Sequence, residues 1–267
     1  MSIILFGSTG MLGNYVFNIL KTDFKVICIN RNDFDIEISD WKLLDNILKQ
    51  YITTNTVIIT CAGIIPQKHN YEDCRKYIRV NTVFPHKVSE FSLKHNCKFI
   101  HITTDCVFDG TIGNYNTDNK HTANNLYGIT KSEGEPSNAT VIRTSIIGEE
   151  LNGKKSLLEW VRSKKNTEIN GFTNHLWNGV TCLALAKIIK QIVIERSYWQ
   201  GVKHIFSPNT VSKYELCRII NNVYDLGIEI KSFNDSTYKN MTLSGEKLFE
   251  IDNIEKQIEE LKKYCMC

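Results

Sequence analysis

The sequence predicts an α/β chain: a doubly wound parallel sheet with a smaller C-terminal lobe. Three observations carry this. An apolar run, residues 2–6, passes directly into Gly7-Ser8-Thr9-Gly10-Met11-Leu12-Gly13, a G-x-x-G-x-x-G turn that opens a helix. Short apolar runs and helical stretches then alternate up to residue 148, the pattern of a sheet buried on both faces. Tyr127 and Lys131 stand one helical turn apart, beyond a strand ending in Thr103 and Thr104, so they share a helix face.

Taken in order, residues 2–6 form a buried strand and residues 14–21 a helix. Between them, glycines let the backbone approach a pyrophosphate, and the helix start offers free N–H groups and a positive dipole end. Gly7, Ser8, Thr9, Gly10, Met11, Leu12 and Gly13 are therefore candidate cofactor residues. Residues 25–30 make the second strand. An NAD site usually ends this strand in an acid that holds the ribose hydroxyls. Asn30 and Arg31 stand there instead, which suits a 2′-phosphate and favours NADPH, while Asp33 keeps NADH in play. Asp35 and Ile36 are placed to cap the adenine edge.

A helix over 41–51 leads to a strand over 56–60, which ends in Cys61-Ala62-Gly63, small residues against which a cofactor can lie. Ile64 and Ile65 follow in a loop at the C-terminal edge of the sheet, where such folds bind ligands. A helix over 72–95 embeds Asn81 between Val80 and Val83, either as a helix-bending core residue or as a buried organiser of water and lysine. The Tyr127–Lys131 pair favours the second role.

The strand over 98–103 leads to that pair. An ammonium beside a phenol favours the phenolate and lowers the tyrosine pKa, making it a better proton shuttle. A threonine hydroxyl at the strand end can hold the same carbonyl oxygen. A strand over 139–143 follows, and from 149 the alternation loosens. Helices are expected over 157–162, 181–195 and 213–224, a strand over 202–207, and a loop rich in amides and aromatics over 170–178. A charged amphipathic helix over 252–264 reads as a solvated surface element. This divides the chain into a dinucleotide-binding part, 1–148, and a mainly substrate-binding lobe, 149–267, with some segments returning to the sheet.

With 267 residues, 42% of them hydrophobic and 23% charged, the chain can bury a sizeable core without disulfides or metals. A net charge of +3 with no arginine-rich run gives no reason to expect nucleic acid. No apolar run reaches the length of a membrane span, and the first residues lack the basic region of a signal peptide. Nine cysteines without C-x-x-C pairs suit a reducing cytosol, with no metal site expected and a cytoplasmic location. Cys265 and Cys267 read as part of a frayed tail.

Thr103-Thr104-Asp105-Cys106-Val107-Phe108-Asp109-Gly110, Tyr127-Gly128-x-x-Lys131-x-x-Gly134-Glu135 and Arg143-Thr144-Ser145 follow the glycine turn in a specific order. In this the chain resembles the extended short-chain dehydrogenase/reductases over nearly all its length, and within them the dTDP-4-dehydrorhamnose reductase group. The resemblance implies a Rossmann-type sheet carrying NADPH, a lobe for a nucleotide sugar linked to UDP or dTDP, and a homodimer as an open assembly. It implies Thr104 as the hydroxyl on the substrate carbonyl, Tyr127 as proton donor, and Lys131 on the nicotinamide ribose. It further implies a substrate lining of Ile65, Asp105, Cys106, Val107 and Phe108, with Lys154, His175, Trp177 and Asn178 from the lobe.

Cys106 departs from that group, whose simple reductases carry Tyr there. Nucleotide-sugar 4,6-dehydratases carry Glu at this place, and GDP-fucose synthase, which epimerises before it reduces, has Cys two residues after its catalytic hydroxyl. Cys106 has the same spacing from Thr104, which implies epimerisation at C3 or C5 beside 4-reduction, or else a small buried residue in a plain reductase. Lys154, Lys155 and His175 are the candidates for a second acid/base. The rival from another class is an idle nucleotide-binding subunit, such as the regulatory subunit of methionine adenosyltransferase. The intact Thr104, Tyr127 and Lys131 weigh against it.

Overall fold

A computed structural model describes residues 1–66, 73–151 and 155–265. Its centre is a six-stranded sheet. Five strands come from the first 144 residues: β1 (Ser2–Phe6), β2 (Lys25–Ile29), β3 (Thr56–Thr60), β4 (Lys98–Thr104) and β5 (Thr140–Thr144). The sixth, Gly201–His204, comes from the second half and pairs with the outer side of β5. Across the sheet the order is Gly201–His204, β5, β4, β3, β1, β2, and every pairing is parallel. The doubly wound sheet expected from the β/α alternation is thus present.

The alternation works residue by residue. In β1, Ile3 and Leu5 point into one core, with α1 (Met11–Leu20) and helix Cys182–Glu195. Ile4 and Phe6 point into the other, with α2 (Trp41–Tyr51) and helix Phe84–Lys94. A strand covered on both faces has no polar side to show, which is why it reads as an unbroken apolar run. Strand order reverses at β1, and the crevice above the C-terminal ends of β1 and β3 is where such sheets take ligands.

The predicted helix over 72–95 is three consecutive stretches: Cys74–Tyr77, a π-helical turn at Ile78–Val83, and Phe84–Lys94. π-turns inside helices recur at functional sites, and this one carries Asn81. Three expectations need correction. Residues 170–178 are not a loop: strands Glu168–Phe172 and His175–Trp177 flank a short turn, the first paired with Glu229–Phe233 and the second with Val211–Ser212 and Lys239–Asn240. The C-terminal helix, Ile254–Cys265, is not merely solvated, because Ile254, Ile258 and Leu261 enter the main core. Its Gln257 accepts from Thr181 N at 3.0 Å and donates to Ser207 Oγ at 2.8 Å. Cys265, expected in a frayed tail, lies 3.3 Å from the Tyr15 hydroxyl. Among the described residues, no helix is long and apolar enough to cross a membrane.

Candidate active site

The glycine turn is shaped by contact on both sides. Gly7 has φ +82°, and a Cβ there would meet Ala62 N at 2.7 Å; a Cβ on Gly13 would meet Gly7 O at 2.0 Å. The turn therefore lies directly against the end of β3, and α1 lies directly on the turn. α1 starts behind Gly10 with no side-chain cap, so its first N–H groups stay available to an anion. Ser8 sits beneath, its hydroxyl donating to Asn30 Oδ1 at 3.1 Å and tying the turn to the end of β2.

A cleft of about 230 Å³ opens here. Of the predicted cofactor residues, Gly7, Thr9, Gly10, Asn30, Arg31 and Ile36 line it, together with Cys61, Ala62 and Gly63 at the end of β3. Met11 and Leu12 pack into the core beneath, and Gly13 serves the turn. Asp35 is not in the lining: its carboxylate accepts from Glu37 N at 2.9 Å and holds the following turn. Glu37, which sequence reasoning missed, does line the cleft, and Arg31 donates to it.

The second part of the site is built where β4 ends. Thr104 caps the 3₁₀ turn Asp105–Val107, its hydroxyl accepting from Cys106 N at 3.2 Å and donating to Asp105 Oδ1 at 3.1 Å. The Cys106 thiol donates to the same carboxylate oxygen at 3.4 Å. Helix Leu126–Ser132, capped by Asn125 on Gly128 N at 2.9 Å, presents Tyr127 to this turn, and the phenol faces the Thr104 hydroxyl. Lys131 is buried and donates to the Ile102 carbonyl at 3.0 Å.

The electrostatics correct one expectation. The phenol of Tyr127 is pushed up, not down: burial is the main cause, with the Cys106 thiol and Asp105 carboxylate adding to it, and the Thr104 contact opposing. Lys131 does not offset this, because its ammonium points to Ile102. Burial pulls Lys131 down to about 8, against Glu135 and Cys61. Burial, then the neighbouring Asp105, pushes the Cys106 thiol up to about 12. Asp105 is itself raised by burial, while Ser145, Cys106, Thr104 and Lys213 pull the other way.

Asn81 ties two segments of the site together. Its Oδ1 accepts from Ile64 N at 2.9 Å and its Nδ2 donates to Ile64 O at 3.0 Å and to Thr130 Oγ1 at 3.3 Å. It fixes the loop after β3 against the Tyr127 helix. Ile65 stands half-buried in that loop.

Other predicted substrate residues are placed elsewhere. Val107 and Phe108 belong to a small core with Tyr115, on which Phe108 stacks at 4.1 Å. Burial with Tyr115 and Leu243 draws both side chains away from the site. Asn178 spends its amide on Leu243, accepting from its N–H and donating to its carbonyl. His175 is bonded to Asp235 Oδ2 at 3.1 Å and Thr237 O at 3.0 Å, within the lobe. Lys155 is exposed, its backbone N–H bonded to Glu150, and Lys154 lies outside the described residues. Trp177 is buried, and over its ring, at 4.9 Å, stands the Lys213 ammonium. Lys213 opens helix Lys213–Tyr224 behind a Ser212–Glu215 capping box and feels the charges of Asp105 and Cys106. The sequence predicts the helix over 213–224; the lysine's destination is set by the fold.

The site thus joins a glycine-turn cleft to a Thr–Tyr–Lys set. The chain is 25% identical over 228 residues to a dTDP-4-dehydrorhamnose reductase of Aggregatibacter actinomycetemcomitans, covering 80% of this chain and 76% of the relative. It is 26% identical over 224 residues to a dTDP-4-keto-6-deoxy-D-glucose reductase of Streptomyces niveus, covering 80% and 75%. Among solved structures, a dTDP-4-dehydrorhamnose reductase of Bacillus anthracis in complex with NADP superposes with a TM-score of 0.85 at 16% identity, covering 98% of this chain and 99% of that one. One from Clostridium acetobutylicum superposes with 0.82 at 18% identity over 100% of both chains. Residues 1–241 match the RmlD substrate binding domain, and the chain belongs to that family.

Proposed function

We propose that this chain reduces the 4-keto group of a dTDP- or UDP-linked 6-deoxy sugar with NADPH, in deoxysugar biosynthesis. The observation that carries the reading is the convergence of Thr104 and Tyr127, with Lys131 one helical turn behind, at the end of the strand beside β3. The named activities of the relatives support the substrate class, and the NADP complex of the Bacillus anthracis enzyme supports the cofactor.

The cleft fits a dinucleotide. Gly7 and Gly10 leave no side chain over the uncapped start of α1, Arg31 and Asn30 stand at the end of β2, and Cys61 to Gly63 form a low wall on β3. When bound, NADPH supplies a hydride to the ketone carbon. The chain's own residues manage the oxygen. As negative charge grows there, the Thr104 hydroxyl turns from Asp105 to donate to it, and the Tyr127 phenol hands over its proton. A phenol raised by burial stays protonated at neutral pH, which is the form a proton donor needs. Lys131, one turn behind, is held on the Ile102 carbonyl at the strand end that carries Thr104.

Incubation with NADPH and dTDP- or UDP-linked 4-keto-6-deoxyhexoses tests the reading, followed by absorbance of the nicotinamide and NMR of the product. Oxidation of NADPH with formation of a 4-hydroxyl is expected. Dinucleotide binding without turnover on any of these ketones would make the chain an idle nucleotide-binding subunit.

Epimerisation next to the ketone is the second reading, carried by the Cys106–Asp105 contact at 3.4 Å. A thiol held up to about 12 yields little free thiolate near neutrality. Its proton can pass to Asp105, whose raised carboxyl suits it to receive one. Cys106 would then take the acidic proton beside the carbonyl while Thr104 and Tyr127 hold the enolate oxygen.

A further inference from the structure

Arg31 and Glu37 line the same end of the cleft, and the guanidinium donates to the carboxylate. Lys76 Nζ approaches the other Glu37 oxygen at 3.4 Å, and Asp35 Oδ2 lies 3.8 Å from Arg31 Nε. The partners differ in how firmly they are held. The Glu37 side chain is 10% exposed and that of Arg31 66%. The turn carrying Glu37 is fixed without Arg31: Glu37 N donates to Asp35, and Arg79 donates to the carbonyls of Ile36 (2.7 Å) and Ser39. The carboxylate is the anchored member, and the arginine is the solvated arm folded onto it.

We propose that Glu37 sets the choice between 2′-phosphorylated and 2′-hydroxyl dinucleotides by competing for Arg31. The proposal rests on the reading that the cleft takes a dinucleotide. A 2′-phosphate must draw the Arg31 donors away from Glu37 and then sit beside a carboxylate. A 2′-hydroxyl can donate to that carboxylate with Arg31 left in place. Among the described residues around this point, Arg31 and Lys76 are paired with Glu37, Asp35 and Asp73, and Arg79 is spent on the carbonyls of Ile36 and Ser39, so each cation already has a partner before a phosphate arrives. Glu37 thus tempers the preference that Arg31 gives. Glu37 is a positioning residue: it acts on the phosphate through Arg31.

The test measures binding of NADPH and NADH by nicotinamide fluorescence, with 2′,5′-ADP and 5′-AMP as competitors that report on the adenosine end alone. Wild type is compared with Glu37→Gln, Arg31→Ala and the double variant. Glu37→Gln should bind NADPH and 2′,5′-ADP roughly three- to tenfold more tightly, the scale of one partly exposed charge contact, with no gain for NADH or 5′-AMP. In the Arg31→Ala background the same change should yield little of that gain. Where the amide disturbs the turn, Glu37→Ala must give the same shift in preference. Equal changes for both dinucleotides, or a gain that persists without Arg31, would overturn the proposal while leaving the cofactor reading intact. A wild type that binds neither dinucleotide would remove both.

Discussion

Lys131 donates to the carbonyl of Ile102 at 3.0 Å, on the strand that ends at Thr104, and is not directed at Tyr127 one turn before it. A buried ammonium held by one carbonyl is poorly compensated, and this pulls Lys131 down to about 8. The folded-state value thus lies below that of the unfolded chain, so folding is opposed in full below pH 8, and the opposition fades as pH rises toward the ordinary lysine value. Relative to Lys131→Met, wild type should gain on the order of 2 kcal/mol of stability between pH 7 and pH 10. Urea unfolding at both pH values checks this, and a constant difference between the two proteins would refute it.

Tyr127→Phe keeps the ring and removes the proton. NADPH binding should stay close to wild type while turnover of a 4-keto sugar nucleotide falls by roughly 10²–10⁴, the range for loss of a general acid. Steady-state rates beside a fluorescence titration make the comparison. Near-normal turnover would assign the proton to another donor.

Cys106 and Asp105 share one contact, so both should matter for exchange at the carbon beside the ketone. In D₂O without NADPH, wild type should incorporate deuterium into the ketone substrate, and Cys106→Ser and Asp105→Asn should not. Cys106→Ser should still reduce a ketone that needs no epimerisation. Mass spectrometry reads the label. No uptake by wild type would leave a plain reductase in which Cys106 only fills space.

Asn81→Ala removes both partners of the Ile64 backbone at once. Both groups are buried, and each unsatisfied one costs about 1–3 kcal/mol. The urea midpoint should fall accordingly, and substrate KM should rise, because the loop carrying Ile65 loses its anchor on the Tyr127 helix. An unchanged midpoint would mean that water replaces the amide without loss.

Most of the sheet was legible because its inner strands are buried on both faces and bounded by turn residues, as Ser2–Phe6 is by Gly7. The Thr104, Tyr127 and Lys131 set was legible because its spacing is local: a strand end and one helical turn. What escaped depends on distant partners. His175–Trp177 is only three residues long and becomes a strand through Val211–Ser212 and Lys239–Asn240, far along the chain. Glu37 lies past the end of β2 and returns to the cleft through the turn that Asp35 and Arg79 fix. Lys213 reaches Asp105 across more than a hundred residues, which no local pattern encodes. The direction of the Tyr127 shift was misread because burial outweighs a cation that proves to be turned elsewhere.

Helix Ile254–Cys265 lies beyond the 241 residues matched by the family, yet it closes the core beside α1 and helix Cys182–Glu195. During synthesis the sheet and the Cys182–Glu195 helix that covers it can therefore assemble while the outer side of that helix still lacks its partner. Until Leu261 has left the ribosome, Ile258 and its neighbours on the Cys182–Glu195 helix remain open to water and to other nascent chains. A stop codon after residue 250 would fix the protein in that half-covered state and deliver it to chaperones or aggregates, even though every residue of the proposed chemistry had already been made.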